Sequence, residues 1–318
     1  MFLSYQNLKF DTIPSVIKKF LSFTVAALLL LQIYVILAPT WWGFELFTHY
    51  IPYYFLAGLF LLPIYFFKRM PAATMLTLAL LSMQFALLHP YLKTSHEPVL
   101  TDLTVLSHNF FVYNQNFEAV QDLISAENPD IFAIIEADYP WREEKEVFRS
   151  SYPYIQMTDE TGSLGIFIAS KYPATFEEKF IGQFPILIAT VSINAQTIQV
   201  IAVHPIPPIT ARTAALRNQA FEELSKIANE SRYPVIVMGD FNSSPWSPTY
   251  QKLIQDTGLI NTRISFGLKP SWNAKNPLLK TPIDHILVSK DFTVASFHLG
   301  QKTGSDHRAV IAELGLAR

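Results

Sequence analysis

Eight polar residues stand at the ends of short apolar runs in the last two-thirds of the chain, and their types define a narrow chemistry: Asn109, Glu136, His204, Asp240 with Asn242, Asp284, and Asp306 with His307. A single Asp at a strand end usually forms a turn or caps a helix, and a single His usually completes a structural hydrogen bond. A series of them on successive strands predicts convergence at one sheet edge. Carboxylates, amides and imidazoles suit Mg2+ or Mn2+ held through one or two carboxylates, with substrate phosphate oxygens completing the shell. Phosphoryl chemistry needs positive charge on those oxygens and an activated water, which such a set can supply. The chain contains no cysteine, which excludes a disulfide framework, a Cys zinc site and a thiol nucleophile.

Hydrophobic periodicity supplies the elements that must carry these residues. Strands are expected over 103–106, 130–137, 164–169, 186–193, 198–203, 235–238, 286–289 and 309–314, with Asn194 and Ala195 as a hairpin turn. Phe117, Val120 and Ile124 recur at helical spacing after Asn116, and Pro129 ends that run. A second helix is expected over 211–229, with Leu216, Ala220, Leu224 and Ile227 on one face and Arg212 and Arg217 toward solvent. Ser247 followed by Pro248 reads as an N-cap and first helical residue, opening a short helix to Asp256. Glu143 to Glu146 reads as a solvated face. His285 is expected to be structural, because adjacent strand residues point to opposite faces and Asp284 is the one in the series. Mixed strands and helices of this kind predict an α/β domain.

The first 93 residues have a different character. They hold six Lys/Arg and two Asp/Glu, whereas residues 94–318 hold eighteen and twenty-four, a net charge of −6 within a chain of net −2. The chain therefore divides near His96, into a membrane anchor over 1–93 and a catalytic domain over 94–318. Three uncharged apolar stretches, 20–38, 50–67 and 72–88, approach the length needed to cross a hydrocarbon core. Lys18 and Lys19 precede the first, Lys68 and Arg69 lie between the second and third, and the loop 39–49 has no positive charge. That asymmetry puts the N-terminus in the cytoplasm and the catalytic domain outside it. Trp41, Trp42, Tyr50, Tyr53 and Tyr54 gather at one boundary, as interfacial aromatics do. No Asp, Glu, Lys or Arg falls within the three stretches, so they read as an anchor rather than a transport path.

In order along the chain, SHN, DIFAIIEA, VIAVHP, VIVMGDFN, PIDHILVS and GSDHRAV resemble the successive motifs of the endonuclease/exonuclease/phosphatase superfamily. That group includes DNase I-like nucleases, neutral sphingomyelinases and inositol-polyphosphate phosphatases. The resemblance covers residues 100–318 and is far more specific for the superfamily than for a substrate. It implies a four-layer α-β-β-α sandwich of two mixed sheets, preceded here by three transmembrane helices. By resemblance, Glu136 is the principal ligand of a Mg2+ (or Mn2+), with Asn109 beside it and Asp306 within reach. Asp240 is implied to orient or deprotonate the attacking water, Asn242 to hold the phosphate, and His307, paired to Asp284, to stabilise the transition state or move a proton. His204 occupies the place of the second catalytic histidine of the DNase I-like and sphingomyelinase branches.

For the substrate, a domain of net charge −6 is poorly suited to neutralising the phosphates of duplex DNA. Three spans hold the cleft near a bilayer and raise the effective concentration of membrane lipids. The sequence therefore favours a lipid or lipid-linked phosphate ester, with an extracytoplasmic nuclease acting on DNA or RNA as the alternative. Trp246 and Trp272, beside the motifs, read either as exposed aromatics suited to an interface or as packed side chains. A catalytically silent binding module is a third reading, disfavoured because no expected metal or water-handling position has been lost. The setting expected is a bacterial inner membrane, with the catalytic domain in the periplasm.

Overall fold

A computed structural model describes residues 14–92, 94, 100–194, 196–276 and 278–316. The expected division near His96, and Ala195 of the expected turn, lie outside the described residues. The chain forms two compact units, one from residues up to Ile36 with Tyr50–Leu88, the other from Leu37–His49 with His89 onward.

The first unit contains α1 (Ser15–Leu37), α3 (Ile51–Phe67) and α4 (Pro71–Leu88). Extended by flanking turns, these are three helices long and apolar enough to cross a membrane. Two polar pairs join them: Thr24 Oγ1 lies 2.7 Å from Tyr65 Oη, and Gln84 Nε2 donates to Gln32 Oε1 at 3.1 Å. Between apolar helices with few other polar groups, such pairs fix which faces meet.

The second unit opens with a short helix, α2 (Trp42–Glu45). Its first sheet has the order β11-β12-β1-β2-β4-β3, built from β1 (Leu103–Asn109), β2 (Ile131–Ile135), β3 (Tyr154–Met157), β4 (Ile166–Ser170), β11 (Phe292–Leu299) and β12 (Val310–Leu316). The second has the order β5-β6-β7-β8-β10-β9, from β5 (Ala174–Ile181), β6 (Phe184–Ile193), β7 (Gln196–Val203), β8 (Val235–Asp240), β9 (Ile260–Asn261) and β10 (Asp284–Val288). The central pairs β1–β2 and β7–β8 are parallel, whereas β12 and β10 run antiparallel to β1 and β8.

Alternation explains why the central strands are apolar throughout. Ile131, Ala133 and Ile135 of β2 face a core shared with Val200 and Ala202 of β7 and Ile236 and Met238 of β8. Phe132 and Ile134 pack instead in the core with Val120, Leu123 and Trp141, from α5 (Phe117–Glu127) and α6 (Trp141–Phe148). Val235 and Val237 pack with Phe221, Leu224, Tyr250 and Leu253, from α7 (Ala211–Glu230) and α8 (Pro248–Thr257). Helix, sheet, sheet and helix are thus the four layers. A one-residue slip of β8 would exchange its two apolar sets between cores of different shape, so the register is tightly specified.

The caps match their sequence signals: Asn116 accepts from Ala119 N at 3.2 Å, and the Ser247 side chain accepts from Tyr250 N. α6, β3, β5 and β11 were not anticipated from periodicity. β5, ATFEEKFI, is an edge strand exposed on alternate residues, and its charges obscure the pattern. α6 exposes Glu143 and Glu146, half-buries Glu144 and Lys145, and buries Trp141 and Phe148, so the solvated face belongs to a helix.

Candidate active site

Strand parity aims the functional side chains into the gap between the sheets. Asn109 continues the set Leu103 and Val105, Asp240 the set Ile236 and Met238, and Asp284 the set Ile286 and Val288, all facing the inter-sheet core. His204 follows Val200 and Ala202 in the same way. Three elements of each sheet contribute, so the site lies at the shared edge of two stacked sheets and not on one sheet as periodicity alone suggested. His285 has the opposite parity, and its Nε2 meets Ser243 O at 2.9 Å.

Glu136 breaks the parity. An extended residue there would follow Phe132 and Ile134 toward the helices, but Glu136 adopts a left-handed conformation with φ of 58°. Its carboxylate instead accepts from Asn109 Nδ2 at 3.0 Å and Val112 N at 2.9 Å. A non-glycine residue in this conformation costs on the order of 1–3 kcal/mol and persists where the surroundings impose it. Asn242 is also left-handed, at φ 48°. Its backbone N donates to Asp240 Oδ1 at 2.8 Å and its Nδ2 to Pro205 O at 2.9 Å. Gly239 permits this approach, since a Cβ there would lie 1.9 Å from Val203 O on β7.

Asp240 is the hub. Its Oδ2 accepts from Asn109 Nδ2 at 3.1 Å and lies 3.7 Å from His204 Nε2 and 3.6 Å from His307 Nε2. His204 is oriented through Nδ1, which meets Ser163 O at 2.9 Å, and its Nε2 is 3.9 Å from Glu136 Oε1. His307 is oriented through Nδ1, 2.9 Å from Asp284 Oδ2. Ser305 Oγ donates to Asn109 O at 2.8 Å and accepts from His307 N at 2.9 Å, tying the GSDH loop to β1.

Burial pushes the Asp240 carboxyl up to about 6; Asp284 adds to the rise, while His307 and His204 oppose it. Burial disfavours a charged His307, but Asp284, Asp240 and Asp306 outweigh it and raise the imidazole to about 10. For Asp284 burial raises, yet His307 and the Ser271 hydroxyl prevail and hold it below the ordinary carboxylate range. The outcome is a buried imidazolium between two acids.

The donor set fits a divalent cation. One atom each from Asp240, Asp284 and His307 lie within 4.8 Å of one another, close enough to hold a metal, with His307 a ligand only as the neutral imidazole. Asp306 Oδ2 accepts from Trp272 Nε1 at 3.1 Å, while Oδ1 is buried without a hydrogen-bond partner among the described residues. An orphaned buried carboxylate oxygen is what a cation site shows when its ion is left out. The Asn109 amide nitrogen is spent on Glu136 and Asp240, and its oxygen accepts from Phe111 N at 2.9 Å.

Some supporting residues escaped the sequence reading. Arg217 is buried rather than solvent-facing, bonded to Glu45 and Ser243, whereas Arg212 is exposed. Trp246 is packed against Tyr91 and not displayed at an interface. Arg263 is buried and donates to Asp284 O at 2.6 Å. No periodic signal marks these, because each lies in a loop or on a helix face that reads as polar.

A comparison with curated proteins gives no match. Among solved structures, the chain is similar to an endonuclease/exonuclease/phosphatase from Beutenbergia cavernae DSM 12333, with 19% identity over 69% of this chain and 72% of that one and a TM-score of 0.57. It is also similar to the 3' phosphatase NExo from Neisseria bound to product DNA hairpin, with 19% identity, 67% and 99% coverage and a TM-score of 0.57. A third is D. rerio TDP2 complexed with single strand DNA product, with 15% identity, 67% and 98% coverage and a TM-score of 0.54. At these identities the likeness establishes the sandwich fold. Residues 106–307, which include Asn109, Glu136, His204, Asp240, Asn242, Asp284, Asp306 and His307, match the model of the Endonuclease/Exonuclease/phosphatase family, and the chain therefore belongs to that family.

Proposed function

We propose that this protein is a membrane-anchored, divalent-metal-dependent phosphoesterase that hydrolyses a phosphate ester by attack of water. The observation that carries the reading is Asp240, buried, within 3.7 Å of two imidazoles and bonded to Asn109. Asp240 Oδ2 takes the proton of the attacking water, and a carboxyl raised toward neutrality suits a base. His307, held as a cation by Asp284, places positive charge where the phosphorane gains negative charge. His204, oriented by Ser163 O, flanks the other side of Asp240. Asn242 has a second amide N–H beyond the one given to Pro205, available to a phosphate oxygen. Glu136 and Asp306 would hold the metal, with Asn109 keeping Glu136 beside Asp240. When bound, the ion neutralises charge on the phosphate oxygens.

For the substrate, a phosphate ester of a nucleic acid is now the first reading, reversing the order favoured by the sequence. Its support is that NExo and TDP2, similar in fold, are described with DNA products. A lipid or lipid-linked phosphate remains the second reading, supported by the domain's net charge of −6 and the three apolar helices. The extracytoplasmic placement rests on the positive-inside pattern. The loop Leu37–His49 and the chain after His89 form one compact unit, as two intervening spans that return the chain to one side require. A bacterial inner membrane remains the proposed setting.

The test is Mg2+-dependent hydrolysis by full-length protein in lipid-containing micelles, offered DNA hairpins, single strands and plasmid beside a mixed phospholipid panel. Asp240→Asn is the control. Nucleic-acid cleavage or dephosphorylation lost in the variant supports the first reading, and headgroup release without it supports the second. Neither, with metal bound and the fold intact, sinks the enzymatic reading.

A further inference from the structure

The loop between the first two apolar helices carries a single charged residue, Glu45. Loop residues Leu37–His49 belong to the same compact unit as the catalytic sandwich. Glu45 is 4% exposed. Its Oε2 accepts from Arg217 Nη2 at 2.6 Å and its Oε1 from Ser247 Oγ, while Thr249 Oγ1 lies 3.1 and 3.2 Å from the two oxygens. Arg217, on α7, is fully buried, and its remaining donors reach Ser243 Oγ at 2.5 Å and Asn218 Oδ1 at 2.8 Å. Three residues on from Glu45, Thr48 Oγ1 lies 3.5 Å from Ser244 Oγ.

These partners converge on the segment that carries Asp240 and Asn242. Ser243 is pinned twice, through Oγ by Arg217 and through its carbonyl by His285 Nε2 at 2.9 Å. Asn242, immediately before it, holds a left-handed conformation, which asparagine tolerates better than most residues, and its bonds to Asp240 Oδ1 and Pro205 O select it. Ser247, the N-cap of α8, ties the far end of the segment to the same carboxylate. Glu45 thus braces both sides of a tight turn from outside the contiguous catalytic sequence.

We infer that Glu45 is a positioning residue for the reaction: acting through Arg217 and Ser243, it fixes the Asp240–Asn242 turn, so the membrane loop is a working part of the active site. The inference rests on the reading of Asp240 and Asn242 as water- and phosphate-handling residues. It goes beyond that reading by making catalysis depend on a segment between two apolar helices. A fragment beginning after His89 would keep every residue of the family pattern yet leave Arg217 without its counter-charge. The brace would be lost although the chemistry-bearing side chains remained.

The test uses full-length protein in detergent with Mn2+ and bis(4-nitrophenyl) phosphate as a small diester probe. Glu45→Gln retains an acceptor and the shape of the side chain. Expected are a fall in kcat on the order of 10–100-fold with KM nearly unchanged, an unchanged Mn2+ affinity, and faster hydrogen exchange at amides 242–244. Glu45→Asp, which restores the charge, should recover part of kcat. Because Glu45→Gln also removes a buried charge, the melting temperature is read alongside. Loss of Mn2+ affinity together with a collapsed melting transition would assign Glu45 to folding alone and overturn the proposal. So would wild-type kcat with unchanged exchange at 242–244. If the wild-type protein shows no Mn2+-dependent hydrolysis, the functional reading fails separately, and the exchange comparison alone decides whether Glu45 holds the turn.

Discussion

Two buried charged clusters flank residue 242, and they are built on opposite principles. In the cluster around Glu45, both carboxylate oxygens have donors and each nitrogen of the Arg217 guanidinium has an acceptor. Around Asp240, two acids, Asp240 and Glu136, stand 3.6–3.9 Å from two imidazoles, beyond hydrogen-bond distance, and one Asp306 oxygen has no hydrogen-bond partner among the described residues. A satisfied buried network makes one geometry unique, whereas an under-satisfied one holds its groups ready for a ligand. One turn joins the two: Ser243 is bonded into the first cluster and Asp240 stands in the second.

The largest effects should come from the under-satisfied cluster. Asp240→Asn preserves shape and is expected to lower turnover by on the order of 10²–10⁴-fold, as removal of a general base does. Chelation of the divalent ion should stop the reaction, and Mg2+ or Mn2+ should restore it, both read as product release with far-UV circular dichroism unchanged. A variant retaining a third of wild-type turnover would remove Asp240 from its assigned role and erase the contrast between the clusters.

The saturated cluster should respond in stability before activity. Breaking a buried pair by removing one partner leaves an uncompensated charge, which costs about 3–5 kcal/mol. Arg217→Ala or Glu45→Ala should therefore destabilise the catalytic unit on that scale in urea unfolding followed by tryptophan fluorescence. The double replacement Glu45→Leu with Arg217→Met, apolar and of similar volume, should recover most of the loss. If Arg217→Ala unfolds within about 1 kcal/mol of wild type, the pair behaves as a surface ion pair does, and the contrast fails.

The two clusters also differed in how well the sequence announced them. Asp240, Asp284 and His307 end or precede strands whose apolar runs are unmistakable, and their order matches a family pattern, so the sandwich and the convergence of these side chains were legible. The left-handed turn at Glu136 was not, because a local conformation that reverses side-chain parity leaves no periodic trace. Glu45 and Arg217 were less legible still. A lone acid in an apolar loop and an arginine among polar helix residues reveal a partnership only when the fold brings together positions 172 apart in sequence. Trp246 stayed open for a related reason, since an aromatic beside a motif reads the same whether displayed or packed.

A smaller effect separates the metal-free states. Burial raises the Asp240 carboxyl from 3.8 to about 6, so its favourable contribution to folding is complete below pH 3.8 and disappears as pH rises through 6. His307, raised from 6.5 to about 10, contributes below 6.5 and loses that contribution as pH climbs through 10. Asp284, held low, acts in the opposite sense and loses its contribution on acidification. In chelator the wild-type melting temperature should therefore fall between about pH 4 and 6. Asp240→Asn should abolish that descent and be more stable than wild type at pH 7 by on the order of 1–3 kcal/mol. A variant no more stable than wild type would mean that His307 fully compensates Asp240, and that the site is as satisfied as its neighbour.

The finest test concerns the Asp306 carboxylate, which faces both ways. Its Oδ2 is held by the Trp272 indole at 3.1 Å, a saturated contact, while Oδ1 is left without a protein partner among the described residues. If the free oxygen serves the cation, the bound one serves to aim it, as groups behind a metal ligand do. Trp272→Phe keeps an aromatic ring but removes the N–H donor together with the pyrrole part of the indole. Mn2+ affinity should then weaken by about tenfold, at the mild end of what losing such a support costs, and the melting temperature of the metal-free protein, read alongside, reports the lost packing separately. Asp306→Asn, which alters the ligand itself, should weaken it further. Should both variants bind Mn2+ as wild type does, the orphaned oxygen does not face the ion, and the cluster of Asp240, Asp284 and His307 becomes the better candidate for the ligand set.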